Sequence, residues 1–457
     1  MSNFLVLMSD EHNPLYSKPY GNTTVKTPNM NALADRGVVF ENSYCPSPLC
    51  MPSRSAFIAG RRVHTLQTYS NCNFHVDPTP LSFGAALSTQ GVHTAYVGKT
   101  DVYAPGNDLK FTEMMKPGDR KTPGDTNHRR NPMSIRTGAG KRANGYGPKE
   151  DACADDIACV EQAERWLQHT APGIDVPWVF VVNVTAPHFP HFAPPKFWDM
   201  YTNDGDLPDY GLECKSAQHP YAEAIKKHFE THEFSETQVR GLRRGYLACI
   251  SFVDYQLGRL MQALENAGLS DSTNVVYTSD HGDMLGKFGM WWKCSLYEDS
   301  VRIPMIAAGP DFARGGRVKT PVDLHDLRAS LFAATGTVQP PEFLGSPLQH
   351  MPVNDPNRIV FSEYHGHGAP GSSYMIRKDN WKYIHYTNAP CQLFDLSSDP
   401  NELHNLAETY PAKVTELLTN LQAVCSPSLE NDRAELFINQ QLEYIKRMAE
   451  QSSQDNA

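Results

Sequence analysis

What the chain lacks narrows its class first. No window of its 457 residues approaches the roughly 18 consecutive apolar residues of a membrane span, so no helical membrane protein is expected. An excess of basic charge is missing as well: 41 Lys and Arg face 51 Asp and Glu, for a net charge of -10. A nucleic-acid-binding surface needs the opposite balance. The first residues, Met1-Ser2-Asn3-Phe4-Leu5-Val6-Leu7-Met8, carry no basic segment and run directly into Asp10 and Glu11. They read as a buried strand and not as a signal peptide, and a cytoplasmic protein is expected. Zinc-knuckle spacing is absent, since Cys45 and Cys50 enclose four residues and Cys153 and Cys159 enclose five. The ten cysteines are therefore expected to be reduced thiols, most of them small core residues.

What is present is an alternation of short apolar runs with helical patterns, the signature of an α/β fold with a large, mostly parallel sheet flanked by helices. Strands are expected over 4–8, 93–97, 178–184, 275–278 and 303–307, and helices over 81–90, 155–168, 240–267 and 324–334. Residues 104–150 are rich in Gly, Pro and Asn, and carry Lys116, Arg120, Lys121, Arg129, Arg130, Arg136, Lys141 and Arg142. A loop of this length is a lid that draws in an anionic substrate, a solvated surface loop or a subunit contact. Residues 201–236 are polar and read as a surface excursion. Beyond Pro340, four strand-like runs (359–364, 373–377, 381–385 and 392–396) predict a small antiparallel sheet. Glu363, His365 and His367 in its Gly-rich link could reach the pocket, with surface hydrogen bonding the favoured reading. From Asn431 an amphipathic helix carries Ile438, Leu442, Ile445 and Met448 on one face. That face must be buried, either on its own subunit or on a neighbour in a homo-oligomer. The expected organisation is a catalytic region over 1–345, an antiparallel-sheet subdomain over 346–425 and a helical tail over 426–457.

Residues 45–61 hold the residue around which the rest is organised. Pro52 and Ser53 mark a helix start just after Cys50, because proline suits the first helical turn. Cys50 then sits at a positive helix end, and Arg54 adds a full charge near the same spot. The pattern Cys50-x-Pro52-Ser53-Arg54 with Gly60-Arg61 resembles the signature of the type I sulfatases of the alkaline phosphatase superfamily, in which that cysteine is oxidised to formylglycine. Thr27-Pro28-Asn29-Met30-Asn31 and the run from Leu33 to Phe40 are similar to the same family. Residues 3–420 fall within the resemblance, which implies an alkaline-phosphatase-like fold and a sulfuric ester hydrolase matured by a formylglycine-generating enzyme.

Other segments take their meaning from strand ends, where open α/β sheets gather ligands. Asp10 and Glu11 follow the first strand, and Asp280-His281-Gly282 follows a later one, a pattern that points to metal ligation. Gly98-Lys99-Thr100-Asp101 stands where a sulfatase shows Gly-Lys-x-His. Lys99 fits, whereas Asp101 replaces the histidine and, with Asn71, resembles the phosphonate monoester hydrolases, close relatives using the same modified cysteine. Pro187-His188-Phe189-Pro190 is similar to the segment whose histidine faces the leaving-group oxygen, and Lys293 lies where the family places a lysine against the sulfate. The resemblance thus implies Asp10, Asp280, His281 and the modified Cys50, with Glu11 beside them, around one divalent cation. Oxygen-rich ligands suit Ca2+ or Mg2+, and His281 adds weight to Mn2+; Ca2+ is placed first. Arg54, Lys99 and Lys293 would neutralise the transferred group, His188 would protonate the departing alcohol, and Asn71 and Asp101 would touch substrate. A phosphonate monoester or phosphodiester hydrolase is the alternative, and a silent anion- or metal-binding protein with an unmodified thiol is a third reading.

Overall fold

The computed structural model describes residues 1–72, 79–119, 128–201 and 205–454. Eight strands build one sheet: β1 (Asn3–Asp10), β2 (Val38–Phe40), β3 (His93–Lys99), β4 (Glu113–Gly118), β5 (Trp178–Pro187), β6 (Thr273–Ser279), β7 (Met305–Ala308) and β8 (Gly316–Val318). Their spatial order is β8-β2-β7-β6-β1-β5-β3-β4. Pairings among β6, β1, β5, β3 and β4 are all parallel, and β7 runs antiparallel between β6 and β2. The central strands are mostly apolar and, apart from Asn3 and Thr185, buried, as strands covered on both faces must be. Their register aligns the functional ends, with Met8 opposite Asn183 on one side and Thr278 on the other. Asp10, Lys99, Asn183 and Asp280 therefore emerge along one edge of the sheet.

Helix α1 (Cys50–Ala59) begins at Cys50, and all ten of its residues are buried. It ends at Gly60, whose φ of +64° needs no Cβ, and a Cβ there would stand 2.7 Å from the Arg328 guanidinium carbon. The long helix α2 (Glu236–Asn266) starts earlier than the apolar stripe suggests. Ser235 and Gln238 form a capping box that satisfies its first N–H groups.

Four antiparallel strands follow, β9 (Ile359–Tyr364), β10 (Ser373–Lys378), β11 (Trp381–Tyr386) and β12 (Gln392–Asp395). Helix α3 (Pro411–Val424) buries Leu417 and Leu421 against Phe361, Tyr374, Tyr383 and Leu393 of this sheet. Helix α4 (Pro427–Gln454) buries Ala434, Ile438 and Gln441 on this same chain; Ala434 packs with Ala56, Val63 and Tyr69 beside α1. Met448, expected on the apolar face, is 46% exposed.

Three expectations change. Residues 201–236 are not wholly a surface excursion, because a helix over Pro220–Phe229 buries Tyr221, Ile225 and Phe229. Within 104–150, β4 forms the sheet edge and a short helix spans Ala139–Ala143. Arg130 there is buried and donates to His365 O, Ser372 Oγ and Asn431 Oδ1, so it joins parts of the chain together; Arg120 and Lys121 lie outside the described residues. Glu363, His365 and His367 are not surface groups: each is about 1% exposed.

Candidate active site

Cys50 sits at the first turn of α1, after Leu49 in extended conformation. Its Sγ lies 3.3 Å from His281 Nε2 and 3.8 Å from Asp10 Oδ1. His281 Nε2 is also 3.6 Å from Asp10 Oδ1 and 3.7 Å from Asp280 Oδ1. One ligand atom from each of Asp10, Cys50, Asp280 and His281 falls within 4.8 Å of the others, and all four residues are buried.

The surroundings orient those atoms. Arg54 Nε donates to Asp280 Oδ2 at 2.7 Å, and its Nη1 donates to Asn183 Oδ1 at 2.9 Å. Lys99 Nζ bonds Asp10 Oδ2, and Arg54 Nη2 stands 3.6 Å from the same oxygen. The outer oxygens of both carboxylates are thus held by cations while the inner ones converge. His281 Nδ1 donates to Gly282 O at 3.1 Å, so Nε2 is the nitrogen that faces the cluster and would ligate a cation once its own proton is displaced. Ser53 Oγ donates to Asp280 O at 2.6 Å and ties α1 to this turn. Gly282 is required for close approach and not for a turn, since a Cβ would meet Asp299 O at 2.1 Å. This donor set fits a divalent cation.

A second group adjoins the first. Glu11, at φ +72°, donates its N–H to Asp280 Oδ1, and one ligand atom from each of Asp10, Glu11 and His188 lies within 4.8 Å of the others. Glu11 Oε2 is 3.2 Å from Lys293 Nζ and 3.4 Å from His188 Nε2. Its Oε1 is buried without a hydrogen-bond partner. His188 Nδ1 donates to Phe189 O at 2.6 Å, and Nε2 accepts from Lys293 Nζ at 2.7 Å.

Charge explains the protonation pattern. Burial and Asp10 push the Cys50 thiol up, but Lys293, Lys99 and His281 outweigh them and bring it down to about 6. Burial alone would lower His281, yet Asp280 and Cys50 raise it to about 9. Burial opposes ionisation of Asp10 too, and Lys99, His188 and Arg54 overcome it, holding it well below the usual carboxylate range. Glu11 goes the other way: burial raises it well above that range and Lys293 only partly offsets the effect. Burial and then Lys293 keep His188 neutral, whereas Lys293, despite burial, is raised by Cys50 and Glu11 and stays charged.

Among the other expected residues, Asp101 stands with φ +51° and its Oδ2 3.6 Å from Lys99 Nζ. Asn71 Oδ1 accepts the Met51 N–H at 3.0 Å, bracing the start of α1. Sequence reasoning took Ser53 only as part of a helix start and of the cysteine motif, and missed Asn183. The signal for Asn183 was available, as the one polar side chain in the apolar run Trp178–Val184.

Fold and site together define an alkaline-phosphatase-like hydrolase. Residues 2–337 match the Sulfatase family model, and residues 286–426 match the model for N-sulphoglucosamine sulphohydrolase, C-terminal. The chain belongs to the sulfatase family and is a sulfatase, a sulfate ester hydrolase. It is 32% identical to the choline-sulfatase of Rhizobium meliloti (strain 1021), over 89% of this chain and 82% of the relative. Arylsulfatase K of Danio rerio is 29% identical, over 99% of this chain and 89% of the relative. The phosphonate monoester hydrolase structure of Agrobacterium radiobacter superposes with a TM-score of 0.75 at 22% identity, covering 93% of this chain and 95% of that one. Among the described residues no helix is long and apolar enough to cross a membrane.

Proposed function

We propose that Cys50 is converted to formylglycine by a formylglycine-generating enzyme and that its hydrated aldehyde is the nucleophile toward a small sulfate ester. The observation that supports this most is the position of Cys50 in the four-residue cluster, where an oxygen-bearing side chain would itself become a ligand. Asp10, Asp280, His281 and the modified residue would hold one divalent cation, Ca2+ before Mn2+ or Mg2+, with Glu11 adjacent. When bound, such an ion favours the deprotonated form of a hydroxyl near neutral pH.

The side chains then divide the work. One hydroxyl of the hydrated aldehyde attacks sulfur, with Asp10 and Asp280 held in place by Lys99 and Arg54. Arg54, fully engaged by Asp280 and Asn183, acts through those partners. Lys99 and Lys293 offset charge on the transferred group. The departing alcohol takes its proton from the Lys293–His188 pair, in which Lys293 holds the proton at rest. Loss of the proton from the second hydroxyl expels sulfate and restores the aldehyde. Asn71 and Asp101 flank this site.

The ten unbridged cysteines support a reducing, cytoplasmic setting. A homo-oligomer through the C-terminal helix would use the apolar side chains exposed on α4, Leu429, Leu436, Tyr444 and Met448, and sedimentation velocity tests that contact. Phosphonate monoester hydrolysis by the same modified residue is the second reading, supported by Asp101 and Asn71. Intact-protein mass spectrometry should show a loss of about 18 Da relative to the unmodified chain. Parallel rates on nitrophenyl sulfate and phenyl phosphonate esters then decide between the two readings. An unshifted mass in active enzyme removes the formylglycine mechanism.

A further inference from the structure

Lys293 is brought to the site by a loop with an unusual backbone. Between Leu285 and Cys294 four residues other than glycine have a positive φ: Leu285 (+47°), Phe288 (+57°), Trp292 (+65°) and Cys294 (+77°). Each is unfavourable for a residue with a Cβ and persists only where the surroundings impose it. Trp292 and Cys294 flank Lys293 directly, so the direction of the lysine is set by two imposed conformations. Cys294 is held by its N–H, which donates to Pro48 O at 3.1 Å. Trp292 is held by Asp283, whose Oδ1 accepts the Trp292 N–H at 2.9 Å and the Leu285 N–H at 2.8 Å. We propose that Asp283 is a positioning residue that sets the reach of Lys293 toward the departing alcohol through these two hydrogen bonds. The proposal rests on the role given to Lys293 above.

One carboxylate oxygen thus pins both ends of the loop. Inside it, the Met284 N–H donates to Trp292 O at 2.6 Å and the Gly286 N–H to Met290 O at 2.8 Å, which keeps the two arms together. Asp283 is itself anchored, because its carbonyl oxygen accepts from Asn13 Nδ2 at 3.0 Å, just past the end of β1. Little slack remains at the other end. The Lys293 ammonium meets His188 Nε2 at 2.7 Å and Glu11 Oε2 at 3.2 Å, and a shift of about 1 Å takes both out of hydrogen-bond range. Asp283 is fully buried, and a buried carboxylate is costly unless its oxygens are met. Its Oδ2 has no hydrogen-bond partner among the described residues. The loop therefore draws on an acceptor at one point and makes no use of the second oxygen.

The test uses full-length protein whose mass shows the modification, with kcat/KM measured on alkyl sulfates and on nitrophenyl sulfate. Lys293→Ala is the reference and should lower the alkyl rates more than the nitrophenyl rate. Asp283→Ala should copy that pattern, with a loss on alkyl sulfates on the order of 10^2 and unchanged metal content. Asp283→Asn keeps an acceptor for both N–H groups and should return the alkyl-to-nitrophenyl ratio to within about threefold of wild type. In the Lys293→Ala background, Asp283→Ala should cost nothing further, because two residues that act through one another are not additive. A role in the fold alone predicts a uniform loss over all esters and an additive double variant, and either result overturns the proposal. So does an Asn variant as impaired as the Ala variant, or a rate that falls only in step with bound metal. If Asp283→Ala does not fold, Asp283→Ser carries the same prediction, since its oxygen sits one bond nearer the backbone. If Lys293→Ala leaves the alkyl-to-nitrophenyl ratio at the wild-type value, the role of Lys293 falls and this proposal with it. If that ratio drops while Asp283→Ala leaves it alone, only the proposal fails.

Discussion

Two clusters of buried histidine and carboxylate occupy this molecule, one around Cys50 and one around Glu363, and their residue types are nearly the same. Around Glu363 both carboxylate oxygens and both nitrogens of the His365 ring are matched. The Glu363 oxygens accept from His64 N, His64 Nδ1 and His365 Nε2 at 2.8–3.1 Å, and His365 Nδ1 meets Ser372 Oγ at 2.8 Å. Arg130 closes the chain by donating to that same Ser372 oxygen. Around Cys50 the atoms converge without bonding one another well, and Glu11 Oε1 has no partner. Burial is equal in the two places; satisfaction is not. A matched cluster stabilises a fold, and an unmatched one is a site waiting for ligands. Variants should therefore separate into losses of rate and losses of stability according to the cluster they touch.

The largest effect falls on Cys50. Cys50→Ala should abolish turnover while the melting temperature holds, since the proposed nucleophile exists only after oxidation of that side chain; Cys50→Ser should do nearly the same if the converting enzyme needs a thiol. Substantial hydrolysis by Cys50→Ala would break the comparison at its root. Asp280→Ala should come next, with a fall in kcat on the order of 10^3 or more and loss of bound metal, measured by turnover and elemental analysis. It also leaves the Arg54 guanidinium buried without the carboxylate now 2.7 Å away, so some stability should go with the rate. Full metal content at near wild-type rate would show that Asp280 is not a ligand.

His188 should give a smaller and conditional effect. Its Nε2 accepts from Lys293, so the pair matters for leaving groups that need a proton and little for nitrophenolate. His188→Ala should steepen the dependence of rate on leaving-group pKa across a series of sulfate esters, with metal content unchanged. A uniform loss over the series would move His188 from proton delivery to packing, where its ring already stacks on Phe189 at 4.4 Å.

The sequence made the first cluster more legible than the second, for a physical reason. Cys50, Lys99, His188 and Asp280 follow recognisable local signals, a helix start or the end of a buried strand. The parallel sheet was legible from those same apolar runs, and the strands of the C-terminal sheet from their alternation. Glu363 gave no local clue, because its burial depends on His64, which lies 299 residues away in the chain. Arg130 was misread in the same way, because its burial depends on His365, Ser372 and Asn431 far along the chain. Whether a polar residue is solvated or buried is decided by what packs over it, and that is information from elsewhere in the chain.

The smallest effect on rate, and the sharpest contrast with Cys50, should come from Glu363→Gln. Glu363 contacts none of the converging atoms around Cys50, so kcat/KM should barely change. Stability should drop by about 3 kcal/mol, the usual consequence of breaking a buried ion pair, read from denaturant midpoints. The loss should depend on pH. Burial opposes the charge on each partner, yet His64 is raised by Glu363, and Glu363 is held well below the carboxylate range by His64 and His365. The Glu363 contribution is present above its unfolded value of about 4.3 and is lost as pH falls through its depressed folded value. The His64 contribution is complete below its unfolded value of about 6.5 and is lost as pH rises through its raised folded value. The gap between wild type and Glu363→Gln should be widest between those two unfolded values and should narrow toward alkaline pH. A gap that widens instead with rising pH would mean that His64 is neutral in the fold, and that Glu363 is held by hydrogen bonds alone.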